Sequence, residues 1–349
     1  MIAAANNEAA TLVTGASGFV GSHLVRLLAS RGQRVRILAR PTSNLRAVEG
    51  LPVERVTADL RDAASLAPAL RGVQRVYHVA ADYRLWARHP QDIYESNVTG
   101  TRNLLDAARD AGVEKFVYCS TVATIAVPRH GQLPNENTKS ALQEMIGHYK
   151  RSKFMAEQSA LEAAAAGAPV VIVNPTAPVG PGDWKPTPTG RIILDFLRGK
   201  MPAYVDTGLN VVPVEDVAAG HILAAERGKV GERYILGGRN LTLKEILDVL
   251  AAITGRHAPR MRMPHAVALA AGFVDTAVSR LLGREPGIPL EGVRMSRHKM
   301  FVDASKAPRE LGFAPGPVEA ALERAVRWYE ENGYVAAGRR SAVPHVQAA

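Results

Sequence analysis

Apolar and polar positions follow two different periods along the first half of the chain. Short apolar runs such as "TLVTG", "RVRILAR" and "KFVYCST" have the length and composition of buried strands. Between them lie helical patterns: in "FVGSHLVRLLASRG" the apolar residues Val20, Leu24 and Leu28 recur every four positions, and Gly32 ends the pattern. Strands that alternate with helices predict βαβ units, a parallel sheet and right-handed crossovers.

This regular alternation stops after about residue 175, where "NPTAPVGPGDWKPTPTG" is rich in Pro and Gly and predicts a loop. We therefore predict an α/β fold, a Rossmann-type doubly wound parallel sheet with a smaller, mostly helical C-terminal region. The predicted division is a flexible N-terminus at 1–9, a dinucleotide-binding domain at 10–175 to which later segments return, a mainly substrate-binding region at 176–335, and a disordered tail at 336–349.

Composition narrows the functional classes. The chain has 349 residues, 47% hydrophobic and 22% charged, and no apolar run approaches the ~18–20 residues that span a bilayer. The N-terminus lacks the pattern of a signal peptide, and the single cysteine, Cys119, excludes an intrachain disulfide, so we expect a cytoplasmic protein. The net charge is +10, but no nucleic-acid motif accompanies it, and we predict no nucleic-acid partner.

The first strand-to-helix turn has the composition of a phosphate site. "VTGASGFVGSH" places Gly15, Gly18 and Gly21 between the strand and the helix. Glycines at such a turn allow a tight bend and close approach of the backbone to a pyrophosphate, which the helix N-terminus then binds. We predict dinucleotide binding here; "GASG" does not match a nucleophile elbow, so Ser17 is not predicted to be a nucleophile.

The end of the second strand bears on the type of dinucleotide. Arg40 stands where an acidic residue would bind the ribose hydroxyls of NAD, and Arg46 follows closely. An arginine there favours the 2′-phosphate of NADP; the alternative is a solvated arginine at a strand end. At the end of the third strand, Asp59 and Leu60 either flank the adenine or simply close the strand.

"GHYKRSKFMAE" places Tyr149 four residues before Lys153, on one face of a predicted helix. An ammonium about 5 Å from a phenol contributes roughly 3 kcal/mol at an effective dielectric constant of 20. That would lower the pKa of the tyrosine by about two units and bring the phenol into range for proton transfer. Ser120 and Thr121 end the preceding strand, at the edge of the sheet where open α/β folds bind ligands.

Together these motifs resemble the extended short-chain dehydrogenases/reductases, the NAD-dependent epimerase/dehydratase family. The resemblance rests on "TGASGFVG", "HVAA", "NVTGTRNLL", "STVA", "YKRSK", "NPTAPVGPGD" and "VPVEDVAAG", in that family's order over about residues 10–330. Within the family, "RPTSNL", "HVAADYRLW" and "TPTGRIILDFLRGKMPAYVDTGLN" resemble the group of hopanoid-associated sugar epimerases and dihydroflavonol 4-reductases.

The resemblance implies roles for individual residues. Tyr149 would be the general acid/base, Lys153 would hold the nicotinamide ribose and lower the tyrosine pKa, and Thr121 would bind the reacting oxygen, with Ser120 as the lesser candidate. The implied cofactor-binding set is Gly15, Ser17, Gly18, Phe19, Val20, Gly21, Arg40, Asp59, Leu60, Ala80, Ala81, Asn97, Tyr149, Lys153, Asn174, Pro175 and Thr176. Tyr83, Trp86, Pro178 and Arg191 are the substrate-side candidates, with loop packing as the alternative for Tyr83 and Trp86.

The remaining polar residues suggest little further chemistry, apart from one basic segment. No histidine spacing predicts a metal site, and Cys119 lies in a predicted buried strand, where it favours an inert core residue. Residues 256–299 hold eight basic and three acidic residues around the amphipathic pattern "PHAVALAAGFVDTAVSRLLG". Such a helix packs on the substrate region, binds a substrate phosphate through its arginines, or lies on an anionic membrane.

Three functions stay open at the level of sequence. The first is an NAD(P)-dependent oxidoreductase, NADP(H) favoured and NAD(H) the alternative, acting on a ketone or secondary alcohol. The second is a nucleotide-sugar epimerase or dehydratase that retains its cofactor and uses the same Thr121, Tyr149 and Lys153. The third is a non-catalytic NADP-sensing protein. The resemblance also implies a homodimer through the helices near 91–111 and 141–166.

Overall fold

The computed structural model describes residues 9–125, 132–282, 284, 286–287 and 290–335. The predicted disordered tail and all but Ala9 of the predicted flexible N-terminus lie outside these residues. The strands are β1 Ala10–Thr14, β2 Val35–Ala39, β3 Val53–Thr57, β4 Val73–His78, β5 Lys115–Cys119, β6 Val170–Pro175, β7 Ala177–Val179, β8 Ala203–Tyr204, β9 Gly208–Pro213, β10 Arg233–Leu236, β11 Arg239–Thr242, β12 Met261–Arg262 and β13 Lys299–Met300.

The helices alternate with these strands through the first half, as the periodicity predicts. They are α1 Phe19–Ser30, α2 Leu66–Leu70, α3 Gln91–Tyr94, α4 Gly100–Asp110, α5 Gly147–Ala165, α6 Pro188–Leu197, α7 Val214–Arg227, α8 Leu243–Thr254, α9 His265–Leu281, α10 Leu290–Met295, α11 Lys306–Leu311 and α12 Val318–Glu331. A π-helical turn, Glu95–Thr99, joins α3 to α4. The segment "DIYESNVTGTRNLLDAARDAG" thus forms one helical path with a π turn inside it, and Gly112 follows it at a φ of 69°.

Seven parallel strands form the main sheet, in the order β10-β6-β5-β4-β1-β2-β3. This order confirms the predicted Rossmann-type fold. The strand order reverses between β1 and β4, which are neighbours in the sheet although two strands separate them in sequence. A crevice forms where the order reverses, at the carboxyl ends of the strands, and this is where such sheets bind ligands.

Both faces of the sheet are covered, because successive strand residues point to opposite sides. In β1, Val13 packs with Leu24 of α1 and Ile222 of α7. Its neighbour Leu12 packs with Leu104 of α4 and with residues of α2 and α5. Full burial of each such side chain stabilises the fold by about 1.5–3 kcal/mol, so the sheet holds the site on a rigid base.

The C-terminal region adds a separate core and two small sheets. Strand β9 pairs with β7, β11 and β13, and β12 pairs with β8. A third apolar cluster joins β9 to α6, α8 and α12. Strand β10 joins the main sheet, and helices α7 and α11 pack on its core. Among the described residues, no helix has the length and apolar content to cross a membrane.

Candidate active site

The glycine turn after β1 has the geometry of a phosphate cradle. Gly15 has a φ of +73°, and a Cβ atom there would lie 2.6 Å from the backbone nitrogen of Ala80. A Cβ atom at Gly21 would collide with the carbonyl oxygen of Gly15. Gly18 is the N-cap of α1 and has no side chain to occupy its free N–H groups. The three glycines therefore keep the turn tight and the helix N-terminus open to an anion.

The other predicted residues of this turn lie at the same edge of the sheet. Ser17 is exposed at the turn, and Phe19 and Val20 begin α1. Ala80 and Ala81 lie just after β4, separated from it by Val79, and the Ala80 N–H donates to Thr14 Oγ1 at 3.2 Å. The crevice between β1 and β4 thus has backbone on both walls, as a bound dinucleotide requires.

A buried chain of hydrogen bonds fixes the wall formed by β4. The His78 ring bonds Thr14 Oγ1 at 2.8 Å and Thr101 Oγ1 at 2.9 Å. Burial lowers the pKa of His78 to about 3, so the ring is neutral at ordinary pH.

Asn97, in the π-helical turn, donates to Ser152 Oγ of α5 at 2.9 Å and accepts the Asp82 N–H at 2.7 Å. Asn97 therefore ties the loop after β4 to α5 and has a supporting position.

Tyr149 and Thr121 come together at the carboxyl end of β5. Tyr149 is half-buried, and its phenol lies within hydrogen-bonding reach of the Thr121 side chain. Loss of water raises the pKa of Tyr149 to about 12, and the Thr121 side chain acts in the opposite direction. Ser120 is 5% exposed, and its hydroxyl has no hydrogen-bond partner among the described residues. The geometry therefore favours Thr121 over Ser120 as the partner of the phenol.

Lys153 lies on the same face of α5 but is directed deeper. It is 2% exposed, and its Nζ donates to Tyr118 Oη at 2.9 Å and to the Cys119 carbonyl at 2.8 Å. Burial lowers the pKa of Lys153 to about 8. The lowered pKa of Tyr149 expected from the nearby ammonium is not found, because desolvation of the phenol is the largest influence on that pKa and moves it upward.

Below Thr121 lies a buried polar cluster that the sequence analysis missed. The Glu157 carboxylate accepts from Thr124 Oγ1 at 2.9 Å, Asn174 Nδ2 at 2.7 Å and Arg233 Nη1 at 3.1 Å. Asn174 also donates to the Thr121 carbonyl at 3.0 Å. Glu157 follows Lys153 by one more turn on the same face of α5, so continuing the four-residue spacing would have found it.

The N-terminus of α5 carries a second contact absent from the sequence analysis. Glu291 of α10 accepts a hydrogen bond from the His148 backbone N–H, and a Cβ atom at Gly147 would collide with its carboxylate. A carboxylate at a helix N-terminus is favourable, because the helix dipole is positive there. Burial nevertheless raises the pKa of Glu291.

The charged candidates at the adenosine end separate into paired and free groups. Arg61 bonds Asp59 at 2.7 Å, lowers the pKa of Asp59 and leaves it committed to the strand-end turn. Arg46 lies over the Trp184 ring, 4.0 Å from its centre. Arg40 is exposed at the end of β2 and has no ion pair or side-chain hydrogen bond among the described residues.

Several predicted cofactor residues lie behind the crevice. Leu60 packs against Gly100 at the start of α4, where a Cβ atom would lie 2.9 Å from the leucine Cβ. Asn174, Pro175 and Thr176 are all buried at the end of β6. Their described contacts support Thr121 and strand β10, so they form the base of the site.

The four substrate-side candidates divide between three places. The Tyr83 hydroxyl donates to the Lys185 carbonyl at 3.2 Å. The charge of Arg191, which is exposed on α6, acts to lower the pKa of Tyr83 against the effect of burial. Trp86 lines a cavity of about 440 Å³ beside the start of α5, with Leu85, Ala87, Arg88, Pro90, Ile93, His148, Thr276, Leu290, Glu291 and Arg294. Pro178 is part of β7 and pairs with Val212 of β9. Tyr83 and Trp86 are thus the candidates nearest to the α5 end of the crevice.

Comparison with known proteins identifies the family of the chain. Residues 11–237 match the model of the NAD-dependent epimerase/dehydratase family. The chain belongs to this family. It is accordingly an enzyme of the oxidoreductase, epimerase and dehydratase type, and the family resemblance predicted from its motifs is confirmed.

Two curated relatives cover nearly the whole chain. A putative dihydroflavonol 4-reductase of Synechocystis is 49% identical over 93% of this chain and 95% of the relative. Sterol demethylase protein B of Methylococcus capsulatus is 38% identical over 93% and 99%. The first name supports the predicted dihydroflavonol 4-reductase-like grouping, and the hopanoid association stays a prediction.

Solved structures show the same fold. The crystal structure of gox2253 has a TM-score of 0.84 and 46% identity, covering 93% of this chain and 99% of that one. A nucleoside-diphosphate-sugar epimerase of Pseudomonas aeruginosa has a TM-score of 0.78 and 29% identity, covering 94% and 99%. Both reductase-named and epimerase-named proteins are therefore similar to this chain.

The residues present fit the nicotinamide dinucleotide that the family implies. The cradle leaves no room for a side chain at Gly15 or Gly21, and its helix N-terminus at Gly18 is offered to a pyrophosphate. No group of three or more His, Cys, Asp or Glu side chains in the described part of the chain could hold a metal ion.

Proposed function

We propose that the protein is an NAD(P)-dependent oxidoreductase that interconverts a ketone and a secondary alcohol, with Thr121, Tyr149 and Lys153 as its centre. One observation carries the proposal. Tyr149 is half-buried, and its phenol lies within hydrogen-bonding reach of the Thr121 side chain at the carboxyl end of β5, one strand beyond the β1–β4 crevice. A hydroxyl pair at that edge is placed to bind the oxygen of a substrate.

The bound cofactor would supply or accept the hydride at the substrate carbon. Tyr149 then donates its proton to the developing alkoxide, or removes it in the oxidative direction. Thr121 holds the same oxygen and orients it toward the phenol. The high pKa of the phenol, about 12, keeps it protonated, which suits it to act as the acid in ketone reduction.

Lys153 has a supporting role in this proposal. Its ammonium, fixed by Tyr118 and the Cys119 carbonyl, lies in the low-dielectric base of the site, where a positive charge favours the ionised phenol. Glu157 and Arg233 hold α5 against β6 and β10 from below. The acid–base groups are therefore positioned by buried polar contacts on α5.

NADP(H) is the proposed cofactor, and Arg40 supports it. Its guanidinium is exposed at the end of β2, while Asp59 and Arg46 are engaged elsewhere. We expect Arg40→Ala to raise the KM for NADPH by about tenfold, because one charge-assisted contact to phosphate is lost, and to leave the KM for NADH unchanged. Arg34→Ala, at the other end of β2 and paired with Glu54, is the matched control. Equal effects on both cofactors would contradict the assignment.

The alternative is a nucleotide-sugar epimerase or dehydratase with a retained cofactor, favoured by the likeness to the P. aeruginosa epimerase. The names of the two more similar relatives, a putative reductase and a sterol demethylase protein, favour a reductase acting on an apolar ketone. The exposed Arg40 agrees with them.

The deciding experiment is to denature freshly purified protein and identify the nucleotide released. A reductase exchanges its cofactor, so we expect little nucleotide, followed by tighter binding of NADPH than of NADH. Stoichiometric NAD or NADH would support the epimerase and overturn the proposal.

The proposed homodimer, through α4 and α5, is tested separately by light scattering.

A further inference from the structure

Helix α9 contacts the protein body through a narrow stripe of small residues. Ala268, Gly272 and Ser279 are its buried positions, four and seven residues apart, which places them on one side of the helix. All exposed positions between 266 and 278 are apolar. Phe273 is 64% exposed, and Leu281, at the end of the helix, is 88% exposed. The helix thus presents to solvent the kind of surface that normally packs inside.

This apolar surface is concentrated in one place. Among the described residues, seven of the ten large hydrophobic side chains that are exposed lie between 267 and 282. They are Val267, Leu269, Phe273, Val274, Val278, Leu281 and Leu282, and together they define the α9 face. A contiguous apolar surface of this kind marks an interaction site, whereas single exposed apolar residues do not.

Basic residues flank the α9 face at both ends of the helix. Arg260 and Arg262 precede the helix and Arg284 follows it, and all three are exposed, although Arg262 pairs with Asp206 at 2.7 Å. Arg260 and Arg297 have no carboxylate within ion-pair distance in the part of the chain that the structure describes. The described acids nearby are engaged, since Asp275 faces Arg284 at 4.0 Å and Glu291 caps α5. An anionic partner therefore finds free cations at this surface.

We propose that the α9 face docks on an anionic lipid bilayer, with the helix in the plane of the interface. An apolar face bordered by arginines is the pattern of helices that bind membranes in this way. The charge argues against a second copy as the occupant, because two basic rims would repel each other. At 17 residues the helix is about 26 Å long, and it would lie along the surface without crossing the membrane.

The inner side of α9 lines the cavity beside the start of α5. Thr276 lines the 440 Å³ cavity together with Trp86 and Glu291, and Glu291 contacts the first turn of α5. A bilayer on the α9 face would therefore lie one helix away from this cavity, which His148 of the first turn of α5 also lines. The docking itself does not depend on the reaction proposed above.

The test is co-sedimentation of the full chain with phosphatidylcholine vesicles, with and without phosphatidylglycerol, at low and high salt. We expect binding only to the anionic vesicles and weaker binding at high salt. The double variant F273E/V274E should lower the partition constant by at least about tenfold, because two charges enter the interface. Val230→Glu, exposed in the turn between α7 and β10, is the matched control and should bind like the parent.

Two results would overturn the proposal. In one, the parent protein stays in the supernatant with both kinds of vesicle. In the other, light scattering shows a dimer that F273E/V274E converts to monomer without any vesicle binding, so that a second copy covers the face. A variant R260E/R297E, which leaves the apolar residues intact, should lose the salt-sensitive part of binding. Reduction of a water-soluble ketone without vesicles reports on the proposed reaction independently.

Discussion

Helix α5 buries charged side chains, whereas helix α9 exposes apolar ones. On α5, Lys153 and Glu157 are 2% and 0% exposed, and each has at least two hydrogen-bond partners. On α9, Phe273 and Leu281 are 64% and 88% exposed. Both helices thus invert the usual pattern of an amphipathic helix, in which charge faces water and apolar residues face the core.

The comparison shows two different costs. A buried charge is tolerated only where fixed partners replace its lost water, and it is held there for chemistry or for structure. An exposed apolar face costs little in the isolated chain but leaves the hydrophobic effect unused. Nearly any substitution of the buried charged residues on α5 should therefore affect the protein. Substitutions on the exposed apolar face of α9 should have little effect until a partner is present.

The largest effect should come from the phenol on α5. Tyr149→Phe keeps the ring and removes the proton donor, so we expect kcat to fall by about 10²–10⁴-fold while the dissociation constant for NADPH stays within about twofold. Steady-state rates on an identified ketone and a fluorescence titration measure the two quantities. Tyr94→Phe, which removes a hydroxyl that bonds His148, is the control and should keep its rate. Undiminished turnover of Tyr149→Phe would remove Tyr149 from the mechanism.

A smaller effect, on stability, should follow from breaking the buried cluster. Glu157→Ala leaves Arg233, Asn174 and Thr124 without their shared acceptor. We expect the free energy of unfolding to fall by about 3–5 kcal/mol, measured by urea denaturation. Glu162→Ala, at an exposed position of the same helix, should change it by less than about 0.5 kcal/mol. Similar losses for both variants would mean that the carboxylate does not hold α5.

The same contrast explains how far sequence reasoning reaches. The sheet, the glycine turn and the shared face of Tyr149 and Lys153 depend on local periodicity, so they were predictable. The position of Glu291 at the start of α5 depends on chain folding across more than 140 residues, and no local pattern encodes it. The direction of the pKa of Tyr149 was missed because charge alone was considered, whereas the burial of the phenol is set by tertiary packing.

Lys153 should also affect stability as a function of pH. Burial lowers its pKa to about 8, below the value near 10.4 of an unfolded chain. Between these values the unfolded state binds more protons, so the contribution of Lys153 to stability rises as pH increases from about 8 to 10. Lys153→Met removes the titrating group, and its melting temperature should rise less over this range than that of the parent. Parallel curves would show that the ammonium is not desolvated.

The smallest effect is expected on α9, where it completes the contrast between the two helices. Phe273→Ala removes an aromatic ring that is already mostly in water, so the free energy of unfolding should change by less than about 0.5 kcal/mol. Phe116→Ala, the same substitution at a 1% exposed position of β5, should cost about 3–5 kcal/mol. Urea denaturation of both variants without lipid measures the difference. If Phe273→Ala lowered the free energy of unfolding as much as Phe116→Ala does, the α9 face would be packed in solution and would not be available to a membrane.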